Sequence, residues 1–289
     1  MATPEPLVYR HYTQAELDRN FDQRGWILNA EEIIARYAPK AAATRARLPN
    51  RLDIPYGPMP QERLDLFLTT VPNAPVLVFV HGGRWLTFTK EQKSYVAEPF
   101  VPAGVHCAVL NFAKLPTVTL PVMVEQVRRG VAWVWRNAAS FGGDASRAYI
   151  WGHSSGAHLA AMALVIDWPG RGLPDDLLKG AALISGPYDM EAVMLSARSS
   201  YVKLTSEQIP RYSPLVLANR IPCPVIVGWA EGDTDEFRRQ SEALAEALRT
   251  SGRLVASIRL PKLNHFETME NLGDIDNPIV RRLLQLIQR

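Results

Sequence analysis

Gly152-His153-Ser154-Ser155-Gly156 lies between the apolar run Tyr149-Ile150-Trp151 and the helix-forming run Ala157-His158-Leu159-Ala160-Ala161-Met162-Ala163-Leu164. The order is strand, tight turn, helix, and it decides how the rest of the chain is read. In a G-x-S-x-G elbow the flanking glycines let strand and helix approach closely, while the serine takes a strained backbone conformation that holds its Oγ above the sheet edge. Ser154 is therefore the candidate nucleophile. Five residues of this kind also occur as a plain glycine turn, so the assignment depends on a second motif.

That motif stands upstream. Residues 75–80, a continuous β-branched and apolar run, read as a strand buried on both faces and lead into His81-Gly82-Gly83-Arg84-Trp85. Acyl transfer needs donors for the oxyanion of its tetrahedral intermediate. The backbone N–H of Ser155, next after the nucleophile, supplies one, and the N–H groups of Gly82 and Gly83 supply the others. Glycines there let the loop backbone come close to a substrate carbonyl.

A serine nucleophile in this layout is followed along the chain by an acid and then a histidine. Of the six histidines, His11, His81, His106, His153, His158 and His265, only His265 lies well downstream of the elbow. It falls in a loop after the strand-like residues 254–260 and is read as the general base. His81 is expected to brace the oxyanion loop, His106 to open a strand, and His11 to lie in a surface arm. His158, one helical turn after Ser154, is expected to pack beneath the elbow. For the acid, the strand at 224–229 runs into a loop crowded with carboxylates, at the carboxyl end of a strand where catalytic groups collect. Asp233 is the choice because Gly232 permits a sharp loop. Asp235, the alternative, and Glu236 read as first-turn residues of the following helix. No histidine or cysteine spacing suits a metal, and no cofactor motif is present.

Beyond these residues, Ser185 to Asp189 (SGPYD), Asp233 to Ser241 (DTDEFRRQS), Asn264 to Phe266 (NHF), Tyr56 to Pro58 and Leu64 to Leu68, together with HGGRW and GHSSGAHL, resemble the kynurenine formamidase (arylformamidase) branch of the α/β hydrolases and its HGGxW esterases. The resemblance spans nearly the whole chain. It implies an α/β-hydrolase fold and a triad of Ser154, Asp233 and His265. Two positions depart from the pattern: Arg84 stands where that branch usually has tyrosine, and Ser155 where alanine usually follows the nucleophile. Ser155 leaves the oxyanion donor intact, since that donor is backbone. Arg84 bears on the substrate.

The chain has 289 residues, 47% of them apolar, enough for one α/β domain with a substantial core. A formal charge of +3 is too small and too dispersed for nucleic acid. Arg128, Arg129 and Arg136 read as the solvated face of a helix, and Arg45, Arg47 and Arg51 as surface charge. Cys107 and Cys223 sit among apolar strand residues and read as core thiols of a reducing, cytoplasmic compartment. The N-terminus lacks the apolar core of a leader, and no apolar stretch reaches the roughly 18 residues of a membrane span.

Strand and helix signals alternate: strands near 64–70, 76–80, 105–111, 147–151, 179–184, 224–229 and 253–260, with helices near 121–138, 154–166, 235–249 and 276–288. Such alternation implies a mainly parallel, twisted sheet covered by helices on both faces. Two segments break the rhythm. Residues 1–60 form an arm with helical stretches at 13–24 and 30–47 and then a proline-rich connection. Residues 186–221 form a long insertion. Both are read as a small lid over the site of a single 1–289 domain.

Trp85, Phe88 and Tyr188 are expected to line the pocket, suggesting a flat aromatic or apolar substrate. Arg84, if it faces the cavity, would pair with a substrate carboxylate; facing water, it would contribute almost nothing. The partner is a small-molecule substrate, not nucleic acid or membrane, and a homodimer stays open. Three functions fit: hydrolysis of N-formyl or N-acyl arylamines, as the resemblance implies; a broad carboxylesterase extending to carbamates; and a ligand-binding protein that has kept the fold.

Overall fold

The structure, a computed structural model, describes residues 5–289, so Met1 to Pro4 of the N-terminal stretch lie outside it. The arm opens with a small hairpin, β1 (Leu7–Tyr9) and β2 (Tyr12–Thr13), followed by helices α1 (Gln14–Asn20), α2 (Gln23–Trp26), α3 (Ala30–Ala35) and α4 (Tyr37–Arg47). Thr13 and Glu16 form a reciprocal capping box that starts α1. The single helix expected over 30–47 is instead two helices meeting at Arg36. Pro39 lacks an N–H and sits in the first turn of α4, where none is needed.

Next come β3 (Asn50–Pro55), β4 (Arg63–Phe67), β5 (Ala74–Val80), β6 (His106–Leu110), helix α5 (Leu120–Asn137), β7 (Gly143–His153) and α6 (Ser155–Leu164). After β8 (Leu178–Ile184) the insertion contributes α7 (Met190–Leu195), α8 (Ser199–Val202) and α9 (Gln208–Arg211). The chain closes with β9 (Val225–Ala230), α10 (Asp235–Thr250), β10 (Leu254–Leu260), α11 (His265–Asn271) and α12 (Pro278–Ile287). Strand β3 occupies part of the proline-rich connection. It pairs antiparallel with β4 at the sheet edge and is largely exposed, so it carries no apolar alternation, and Pro55 is tolerated there.

The eight strands form one sheet in the order β10-β9-β8-β7-β5-β6-β4-β3. The strands from β10 to β6 are parallel, and β4 and β3 run antiparallel at one edge. Alternate residues of each central strand feed two cores. Val76, Val78 and Val80 belong to the core covered by α5, α6 and α10, whereas Leu77 and Phe79 belong to the one that holds α4, α12 and the segment around Phe100. All seven residues of β5 are buried, at roughly 1.5–3 kcal/mol for each large side chain. Cys107 and Cys223 are free, buried thiols.

Two arginines expected at the surface serve the interior. Arg45 pairs with the fully buried Asp65, which also receives Lys90. Arg128 donates from Nε and Nη2 to the Met162 carbonyl, tying α5 to α6, because that carbonyl at the end of α6 has no intrahelical partner. No helix of the described residues is long and apolar enough to cross a membrane.

From β5 the chain crosses to β6 on one side and returns to β7 on the other. The order reverses between β5 and β7, and the crevice beyond the carboxyl ends of such strands is where open α/β sheets bind ligands. His81-Gly82-Gly83 leaves β5 there and Ser154 leaves β7, so topology alone brings the two motifs together.

Candidate active site

Ser154 takes φ 55° and ψ −132°, a conformation that costs an ordinary residue on the order of 1–3 kcal/mol. Its neighbours impose it. The Ser154 N–H donates to Ile184 O at 2.8 Å. A Cβ at Gly152 would lie 2.4 Å from Gly156 O, and one at Gly156 would lie 2.1 Å from Val80 O, so both positions exclude any side chain.

His265 is the first residue of α11 rather than part of a loop, because Asn264 caps the helix in a box with Glu267. The cap fixes the ring. Nε2 lies 2.9 Å from Ser154 Oγ, and Nδ1 lies 2.6 Å from Asp233 Oδ1. With the proton on Nδ1, the ring donates to Asp233 and accepts from the Ser154 hydroxyl. The second oxygen of Asp233 accepts from Ser185 Oγ at 2.6 Å and Ala230 N–H at 2.9 Å, so the carboxylate is fully engaged. Ser154, His265 and Asp233 are 5%, 4% and 1% exposed. Asp235 is exposed and pairs with Arg238 in the first turn of α10, away from the imidazole.

Gly82 faces the elbow so closely that a Cβ there would come 2.8 Å from Ser154 Cβ, and Gly83 has φ +128°. Among the described residues the backbone N–H groups of Gly82, Gly83 and Ser155 have no protein acceptor, Ser155 standing where a helix leaves its N–H free. The loop is pinned around them. Leu86 and Thr87 N–H both donate to Gly83 O at 2.9 Å, and Trp85 N–H donates to Ser155 Oγ at 3.1 Å. The His81 ring stacks on Phe112, and its Nδ1 lies 2.8 Å from Gly82 O. Burial lowers the pKa of His81 well below the usual histidine value. Lys114 Nζ lies 3.3 Å from Nε2, so Nε2 accepts and Nδ1–H donates to Gly82 O. That bond orients the peptide whose other end is the Gly83 N–H.

A cavity opens at Ser154 and His265. Gly82, Gly83, Arg84 and Phe88 line it. Gln23, Arg24 and Tyr37 from the arm, Lys93, and Arg198 from the insertion also line it. Trp85 and Tyr188 do not line it, which corrects the expectation for both. Arg84 and Trp85 both have positive φ, and this left-handed turn carries the indole inward, edge-on to the His158 ring at 5.4 Å. Tyr188 is wholly buried beneath the insertion, its N–H held by Gln240 Oε1. His158 donates from Nε2–H to Tyr212 O, 2.9 Å away, and burial pushes its pKa down to about 4.

Sequence reasoning misses Ser185, Tyr37, Lys93 and Arg198. Ser185 stands in the SGPYD stretch at the end of β8, next to β9, and that adjacency is the available signal. The other three come from segments whose placement over the sheet no local pattern announces.

The BD-FAE family model matches residues 64–168, which span the oxyanion loop and the elbow. The kynurenine formamidase of Salmo salar is 33% identical over 96% of this chain and 98% of its own length, and that of Danio rerio is 30% identical over the same shares. Esterase LipQ of Mycobacterium tuberculosis is 32% identical over 84% of this chain and 62% of its own length. Among solved structures, a Silicibacter protein provisionally assigned as a thioesterase superimposes with a TM-score of 0.81 at 25% identity, covering 95% of this chain and 99% of its own. An esterase from Pyrobaculum calidifontis shares the fold, with a TM-score of 0.69 at 20% identity over 89% and 90% of the two chains. The chain is thus a hydrolase of the amide- and ester-cleaving type, and it belongs to the kynurenine formamidase family of α/β hydrolases.

Proposed function

We propose that this chain cleaves N-formyl or other short N-acyl arylamines through Ser154, His265 and Asp233. The observation that carries the reading is the unbroken relay Ser154 Oγ, His265 Nε2, His265 Nδ1, Asp233 Oδ1, with separations of 2.9 and 2.6 Å. Ser154 Oγ attacks the acyl carbon while His265 takes its proton. The carbonyl oxygen becomes an oxyanion held by the N–H groups of Gly82, Gly83 and Ser155, each such donor lowering the barrier by about 3–4 kcal/mol. Imidazolium, steadied by Asp233, then protonates the departing amine. Water, deprotonated by the same ring, resolves the acyl enzyme and restores Ser154.

Full-length similarity to the two fish formamidases supports an aryl amide substrate. So do the rings of Phe88 and Tyr37 on the cavity wall. A second reading, a carboxylesterase on the same machinery, draws on the similarity to Esterase LipQ. Comparing kcat/KM on N-formylkynurenine and on short p-nitrophenyl esters tests the choice. A higher value on the formamide supports the amidase; turnover of esters alone overturns it in favour of the esterase.

A further inference from the structure

Among the described residues, the cavity at Ser154 is lined by Arg24, Arg84, Lys93 and Arg198 and by no aspartate or glutamate. Arg24 has a counter-charge in Glu31, 3.3 Å away. Within the same described residues the others form no ion pair. Lys93 is 1% exposed, with Nζ 3.4 Å from the centre of the Tyr37 ring and 4.0 Å from that of Phe88, and burial lowers its pKa well below the usual lysine value.

Arg198 is the more telling residue. It is 4% exposed, and its Nε and Nη2 both donate to Phe21 O, at 3.1 and 2.6 Å. Its guanidinium lies over the rings of Phe21, Phe237 and Trp85, at 5.2, 5.5 and 5.8 Å. The remaining nitrogen, Nη1, is buried and finds no acceptor among the described residues. A guanidinium stays charged when buried, and an uncompensated buried charge is costly. The arrangement holds two of its three nitrogens rigid and leaves the third free. Arg84 stands beside it. Both line the wall between the catalytic cavity and an outer groove bordered by Asp18 and Asp22, and each charge bears on the other.

We infer that Arg198 Nη1 and Arg84 form a carboxylate-binding subsite, so that the substrate is an anion whose carboxylate docks on these arginines while its scissile carbonyl reaches Ser154. The inference rests on the hydrolase reading above and adds Arg198 to it. An anion entering the cavity also favours the protonated form of Lys93. The planar guanidinium favours a planar carboxylate, since the two can make parallel, charge-assisted hydrogen bonds.

The test uses 4-acetoxybenzoate and its methyl ester, in which a methyl group removes the carboxylate charge, with acetate release followed for both. Binding is measured by calorimetry on Ser154→Ala protein, and turnover on the wild type. The carboxylate is expected to bind and react roughly ten- to a hundredfold better than the neutral ester. That ratio should collapse towards one in Arg84→Gln and in Arg198→Gln. Because Arg198 also ties down Phe21, Arg84→Gln keeps the test valid where Arg198→Gln does not fold. A ratio near one in the wild type, or one that neither substitution changes, overturns the subsite. Absence of turnover with the binding ratio intact would instead count against the hydrolase reading alone.

Discussion

Ser155 Oγ accepts a hydrogen bond from the backbone N–H of Trp85 at 3.1 Å, so the residue after Ser154 holds the His81–Trp85 loop with its side chain while its own N–H has no acceptor among the described residues. Both residues are 1% exposed. The bond matters because Arg84 and Trp85 have φ of 57° and 63°, a left-handed pair with no glycine to relax it.

Ser155→Ala should therefore leave a buried N–H unpaired, at a cost of about 1–3 kcal/mol, and loosen Gly82 and Gly83 relative to Ser154. The expected outcome is a several-fold to tenfold fall in kcat with KM little changed, and an equal loss of affinity for a trifluoromethyl ketone that mimics the tetrahedral intermediate. Unchanged kcat and unchanged inhibitor affinity would mean that the loop holds its shape without this bond.

Asp233→Asn should lower kcat by about a thousandfold or more, since the amide disfavours the imidazole tautomer that accepts from Ser154. Asp235→Asn should leave kcat within a factor of two, because Asp235 only pairs with Arg238 at the surface. Ser185→Ala should fall between them, removing one of the two donors that hold Asp233 Oδ2. Steady-state kinetics on the three variants checks the order; comparable losses in Asp233 and Asp235 variants would refute the assignment of the acid.

Stability should decline as the solution turns acidic. His158 titrates near 6.5 when unfolded and is pushed down to about 4 in the fold, so between those values the unfolded chain binds the extra proton. Its contribution is fully present above pH 6.5, is lost as pH falls towards 4, and amounts to on the order of 3 kcal/mol. Burial shifts His81 and His153 in the same direction. Urea unfolding at pH 7.5 and pH 5 should give a smaller difference in His158→Gln than in the wild type. An identical difference would show that His158 is not the group that titrates.

Much of the site and fold is legible in the amino-acid sequence. Ser154 and His265 follow from a motif and from chain order, because an elbow between strand and helix and a lone downstream histidine are local facts. The central strands are legible for the same reason, being continuous apolar runs such as residues 75–80. Strand β3 is not, because an exposed edge strand with a proline carries no periodic burial. Trp85 and Tyr188 mislead for a different reason: an aromatic next to a motif says nothing of the backbone angles that turn it into the core. Lys93 and Arg198 are silent because their significance lies in what surrounds them, two rings in one case and an unmatched nitrogen in the other.

Stoichiometric labelling with a fluorophosphonate followed by peptide mass mapping decides whether Ser154 is the nucleophile. Phosphorus should attach to Ser154 alone, with loss of activity in proportion, and both labelling and turnover should vanish in a folded Ser154→Ala protein. Label found on another residue, or turnover that survives in Ser154→Ala, would contradict it.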